Sequence, residues 1–326
     1  MPFDNSTTWL SGCIPDLPTQ FDEAGEVDLT ALAGLCERQI KVGASAIVVG
    51  ETTGEFTTLT SAELDAIIRT AAGAARGRVR VIAGAGSNST NEAVERTRRA
   101  ELAGADAILS VVPYYNKPMQ AGIEAHFRAI ANATALPVVL HDNPARTVRE
   151  LADGTLLKLS ESPQFVGLMD STGDLSRPAR LRPMLPARFR LLSGDDTTAL
   201  AFLCSGGDGS ISIASNIAPA MFQRMFSSYR QGRMQSAQCL QQRLLPLAAL
   251  IAKENPAAVK YALSLLGLAR ADTRLPLAGL SDPAKASVAD ALEALGENDI
   301  MPDGKNASPA ISAQDRAYNA APGDIS

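Results

Sequence analysis

Eight short apolar runs, each followed by a segment of helical period, constrain this sequence more than any other feature. The runs fall at about 12–15, 46–50, 79–85, 107–113, 137–143, 165–170, 189–194 and 209–215. Near-continuous runs rich in Val and Ile suit strands that are covered on both faces. Between them, apolar residues recur at three- and four-residue spacing over 28–42, 61–75, 91–103, 120–133, 150–159, 175–185, 196–205 and 219–231. Strand and helix in steady alternation read as βα units around a parallel sheet. Eight such units predict an α/β chain folded as a closed (β/α)8 TIM barrel, in preference to an open doubly wound sheet. The open sheet would call for a dinucleotide fingerprint. Gly84-Ala85-Gly86 supplies two of its glycines, but Ser89 stands at the third position, so a tight βα turn is the better reading.

A chain of 326 residues that is 46% hydrophobic can fill a core of this size. The eight units account for residues 1–231. Three more helical patterns, at 234–253, 256–266 and 282–295, read as a C-terminal helical appendage that occupies 232–295 and packs on the barrel. From 296 to 326 the composition turns polar, and a disordered tail is expected there. A net charge of −5 excludes a broadly basic nucleic-acid-binding surface. The first residues show neither a basic segment nor a long apolar one, so no secretory signal is visible. The longest apolar stretches fall far short of the roughly 20 residues of a membrane helix. The expectation is a cytoplasmic protein with no membrane or nucleic-acid partner. Cys13, Cys36, Cys204 and Cys239 form no CxxC pair and read as small buried hydrophobes. His126 and His141 are the only histidines, too few for a zinc site, so neither metal nor cofactor is expected.

In such a barrel the reacting groups come from the C-terminal ends of the strands. The second strand ends in Gly50-Glu51-Thr52-Thr53-Gly54-Glu55 and the fourth in Pro113-Tyr114-Tyr115-Asn116. The fifth ends in His141-Asp142-Asn143-Pro144-Ala145-Arg146-Thr147 and the sixth in Gly167-Leu168-Met169-Asp170-Ser171-Thr172-Gly173. The seventh ends in Ser193-Gly194-Asp195-Asp196, and the eighth carries Ile211. Thr52 and Thr53 can donate to a carboxylate, Arg146 can grip one bidentately, and His141 or Tyr115 can move protons. This set suits a small oxo acid. Blander readings stand beside it: the Gly-Glu-Thr-Thr-Gly-Glu segment as a turn, Asp195-Asp196 as a helix N-cap, and His141 as a satisfied core histidine.

These strings, in this order, resemble the dihydrodipicolinate synthase and N-acetylneuraminate lyase family over about residues 10–295. The matching segments are 50–55, 83–86, 113–116, 144–147, 191–196 and 255–260. Pro113-Tyr114-Tyr115-Asn116-Lys117-Pro118 and the surroundings of Arg146 are more similar to the synthase branch, 4-hydroxy-tetrahydrodipicolinate synthase. The resemblance implies a lyase in which a strand-six lysine forms a Schiff base with pyruvate and the enamine attacks an aldehyde. It further implies that Thr52 and Tyr115 relay protons, that Thr53 and Ile211 help bind substrate, and that Arg146 holds the second carboxylate. The family's oligomeric habit implies a homodimer or homotetramer, with Tyr115 reaching across an interface. Asn88, Glu92 and Tyr114 match three residues that bind lysine as an inhibitor at that interface. Asn88 and Glu92 also read as a helix cap and a first-turn acid.

Two positions depart from the family. The strand-six lysine is Met169, and the strand-five tyrosine is His141. A thioether has no amine to condense with a ketone, so Met169 is inert for the covalent step. Imidazole titrates near 6.5 against about 10 for a phenol and is shorter, so His141 would place the proton differently. The other lysines read as solvated surface groups. Three functions follow: a pseudoenzyme that keeps the oxo-acid pocket, an enzyme using non-covalent acid–base chemistry on an oxo or hydroxy acid, or an aldolase working through a displaced lysine.

Overall fold

The computed structural model describes residues 7–296 and Ile300. The expected tail therefore lies outside the described residues, apart from Gly296 and Ile300, whose carbonyl accepts a hydrogen bond from Arg38 at 2.7 Å. Eight parallel strands are present: β1 Gly12–Pro15, β2 Ala46–Val49, β3 Arg80–Gly84, β4 Ala107–Val111, β5 Val138–Asp142, β6 Phe165–Asp170, β7 Arg190–Ser193 and β8 Gly209–Ser212. From β2 to β8 each strand pairs with the next in sequence, and β1 pairs with β8. A bridge between Asp16 and Val48, with Leu17 N–H donating to the Val48 carbonyl at 2.9 Å, ties the β1 end to β2 and closes the barrel.

Two apolar clusters explain the continuous runs. One fills the barrel, with Ile14, Val48, Ile82, Leu109, Val139, Met169, Leu192 and Ile211. The other lies between the strands and the surrounding helices. The helices before β6 are α1 Leu29–Lys41, α2 Ser61–Ala75, α3 Thr90–Leu102, α4 Gln120–Ala131, α5 Pro144–Thr147 and α6 Asp153–Ser160. Side chains fix several starts. Asp28 accepts from Thr30 N–H and Ala31 N–H, and Thr60 with Glu63 forms a capping box. Ser89 caps α3, so the cap expected of Asn88 belongs to its neighbour.

The later helices are α7 Arg177–Leu181, α8 Ala199–Cys204 and α9 Pro219–Arg230. The helical pattern at 175–185 yields only α7, because Pro183 lacks the N–H that continuation needs. The pattern at 196–205 starts three residues late. Asp195 accepts from Thr197 N–H and from the hydroxyls of Thr197 and Thr198, which holds a turn there instead.

The appendage consists of α10 Met234–Lys253, α11 Ala257–Leu265 and α12 Asp282–Glu293. Its loops reach the mouth of the barrel. Asn255 Nδ2 donates to Thr53 Oγ1 at 3.3 Å, Lys260 pairs with Glu55 and Arg274 pairs with Glu63. No helix among the described residues is long and apolar enough to cross a membrane. None of the four cysteines is joined in a disulfide, and Cys13 and Cys36 are buried. Cys204 is exposed and Cys239 half-buried, which corrects their reading as buried hydrophobes.

Candidate active site

The glycines at the strand ends let the rim assemble. A Cβ on Gly84 would lie 2.1 Å from the Gly50 carbonyl oxygen, and one on Gly86 would lie 2.8 Å from Val111. The Gly84-Ala85-Gly86 turn is thus a close approach of β2, β3 and β4.

Inside the rim, His141 and Met169 are register partners on β5 and β6. Met169 is 4% exposed and packs in the apolar interior with Leu192 and Ile211. His141 is 1% exposed, with both ring nitrogens engaged. Nδ1 lies 2.9 Å from Glu51 Oε1, and Nε2 lies 3.2 Å from Ser171 Oγ. The other Glu51 oxygen accepts from Thr52 N–H. Burial alone would raise the Glu51 pKa, but His141 and the Thr52 N–H outweigh it and hold the carboxyl below its usual range.

Two further acids are buried at the strand ends, Asp16 after β1 and Asp196 after β7. Burial and the nearby Glu51 charge push Asp16 well above the usual carboxylate range, against hydrogen bonds from Thr53. Burial raises Asp196 to about 6, although its Oδ2 accepts from Ile213 N–H at 2.9 Å and Ala214 N–H at 2.7 Å. Asp195 and Asp196 are therefore neither a catalytic pair nor a shared N-cap. One organises a turn, and the other clamps the chain leaving β8.

A cavity of about 230 Å³ opens at the mouth. Thr52, Tyr114, Arg146 and Asn255 line it, together with Pro256 and Leu277 from the appendage. Thr52 and Arg146 thus meet as the sequence reading expects. Thr53 is fully buried and bound to Asn255, and Ile211 lies in the barrel wall. Tyr115, at φ 71°, is 88% exposed on the outside of the single chain, and Tyr114 faces the cavity in its place. Tyr114 also meets Phe56 edge-on, and Glu92 is paired with Arg96 at 2.9 Å. Asn88 accepts from Asn116 through its backbone carbonyl.

Lys260 corrects the reading of the lysines as surface groups. It is fully buried, with Nζ 2.5 Å from Glu55 Oε1 and 2.6 Å from the Asp272 carbonyl oxygen. Burial lowers its pKa, with Glu55 opposing. Lys41, Lys117, Lys158 and Lys253 are exposed and Lys285 is half-buried. No described lysine lies in the apolar interior beside Met169. Among the described residues no group of three His, Cys, Asp or Glu side chains is arranged to hold a metal ion.

A profile of the dihydrodipicolinate synthetase family matches residues 9–295. The chain belongs to this family. It is 42% identical over 290 residues to the 4-hydroxy-tetrahydrodipicolinate synthase of Gluconobacter oxydans, covering 89% of this chain and 98% of that one. Among solved structures it is similar to the synthase from Cyanidioschyzon merolae with lysine bound, at a TM-score of 0.85 and 40% identity, covering 88% and 98% of the two chains. It is also similar to the chloride-inhibited synthase from Acinetobacter baumannii complexed with pyruvate. There the TM-score is 0.84 and the identity 38%, with 87% and 98% covered.

Sequence reasoning named His141 and Met169 but gave no role to Glu51 or Ser171. Both stood in the strand-end strings. What would have singled them out is the pairing of β2 and β6 ends with β5 across the rim, which depends on barrel closure.

Proposed function

We propose that this family member binds a small pyruvate-like 2-oxo acid at the C-terminal face of the barrel and does not form the Schiff base. Thr52 and Arg146 hold the ligand's carboxylate and carbonyl in the mouth cavity, and His141 performs acid–base work without a covalent imine. The observation that carries this reading is Met169, buried beside His141 at the position that the family resemblance gives to the reactive amine. The one buried lysine described, Lys260, is committed to Glu55 and supplies no substitute. The Glu51–His141 contact favours working acid–base chemistry over a purely passive pocket.

The test is intact-protein mass spectrometry after pyruvate and borohydride, with Met169→Lys beside the parent. The parent should carry no adduct, and the variant should gain one reduced pyruvate imine. An adduct on the parent overturns the reading, since a displaced lysine would then be at work.

The same reading takes residues 1–231 as the barrel and 232–295 as the helices that complete its mouth. It takes the molecule as a cytoplasmic homodimer or homotetramer, for which the exposed Tyr115 is a contact residue. The lysine-bound relative supports lysine as an effector held by Asn88, Glu92 and Tyr114. A lysine-induced thermal shift that Glu92→Ala abolishes would bear this out, and no shift in the parent would refute it.

A further inference from the structure

We infer that Ser171, His141 and Glu51 form a nucleophilic triad, in which the half-buried Ser171 hydroxyl accepts the acyl group of a small carboxylic ester that reaches it at the rim. Three strand ends supply the parts: Glu51 follows β2, His141 lies on β5 and Ser171 follows β6. The two contacts, at 2.9 and 3.2 Å, fall within the reach that joins a base to its orienting acid and to its nucleophile.

The direction of the hydrogen bonds follows from the groups. A carboxylate only accepts, so His141 Nδ1 donates to Glu51. In the neutral ring Nε2 is then the acceptor, and it faces the Ser171 hydroxyl. Thr52 N–H takes the second Glu51 oxygen, so the orienting acid is held at both ends. Access runs the right way along the chain. Glu51 and His141 are buried, while Ser171 is half-buried at the rim. Gly194 makes room for it, since a Cβ there would stand 2.0 Å from Ser171 Oγ. A triad is recognised by such geometry and roles, not by order in the sequence.

The step balances without a redox partner. Ser171 Oγ bonds to the ester carbonyl carbon while its proton passes to His141 Nε2, and the carbonyl electron pair moves to oxygen. Collapse breaks the bond to the leaving alkoxide, which takes the proton from Nε2. Water then repeats the sequence on the acyl-serine and releases the acid. Ser171 N–H donates to the Asp142 carbonyl and Thr172 N–H to Asp170 Oδ1. The two backbone donors beside the nucleophile are therefore committed, and slow acylation is expected in place of rapid turnover.

The test uses the full chain with p-nitrophenyl acetate, followed by intact mass and peptide mapping. The probe has neither a keto group nor a second carboxylate, so the result does not depend on the oxo-acid reading. The expected result is one acetyl group on the peptide holding Ser171, absent in Ser171→Ala. His141→Ala should slow acylation about 100-fold or more. Glu51→Gln should lower the maximal acylation rate with little change in the probe concentration at half-saturation, the signature of a positioning residue. An unlabelled parent, a label mapped elsewhere, or equal labelling in His141→Ala overturns the triad. Mapping on the parent decides the matter even where a variant fails to fold.

Discussion

Lys260→Met would test how firmly the appendage is pinned over the mouth. Lys260 Nζ has three partners: Glu55 Oε1 at 2.5 Å, the Asp272 carbonyl oxygen at 2.6 Å and the Phe21 ring, 4.1 Å to its centroid. Both charged groups are buried, and removing one partner of such a pair costs about 3–5 kcal/mol because the other charge stays uncompensated. Arg274 N–H still donates to Glu55 Oε2 at 3.0 Å, which puts the expected loss at the lower end, about 3 kcal/mol. Glu55→Gln should cost a similar amount by stranding the ammonium. The double variant strands neither charge, so it should cost about 3 kcal/mol in place of the summed 6 or so, a coupling of about 3 kcal/mol. Urea unfolding of the four proteins at constant slope measures the cycle, and the single variants should melt roughly 6 °C lower. A Lys260→Met loss under about 1 kcal/mol, or additive costs in the double variant, would refute the reasoning.

Three other outcomes follow from the site. Asp196 has its pKa raised to about 6 from the usual 3.8, so its stability contribution is complete below about pH 4 and is lost as pH rises through 6. Two pKa units correspond to about 3 kcal/mol, so Asp196→Asn should improve against the parent by about that much between pH 4 and 7.5. A pH-independent difference in unfolding free energy would count against it. Gly194→Ala should cost about 1–3 kcal/mol by overpacking and turn Ser171 away from His141. Unchanged acylation in that variant would show that Ser171 does not need its observed position. Arg146→Ala, at an exposed position, should leave the melting temperature almost unchanged while weakening 2-oxo-acid binding about 10- to 100-fold by calorimetry. Equal binding by the two proteins would remove Arg146 from the site.

Much of the architecture was legible because its signals are local. The strand runs and the amphipathic period predicted eight βα units, and α2 and α10 appear with the expected bounds. Local signals also misled where side chains act over a few residues. Pro183 cut α7 short, and Asp195 delayed α8 by binding Thr197 and Thr198. Lys260 gave no sign of burial, since an acid at Glu55 to match its charge is not visible as a neighbour in the chain.

The sequence by itself determined the barrel, the polar strand ends that meet at one rim and the absence of an amine at Met169. Periodicity and the intrinsic chemistry of one side chain need no knowledge of what lies across the fold. Only the tertiary structure decided which groups meet. Glu51 and His141 are 90 residues apart, His141 and Ser171 are 30 apart, and Glu55 and Lys260 are 205 apart. Those contacts exist because strand pairing closes the sheet and brings the strand ends to one rim. A linear pattern carries no measure of that distance.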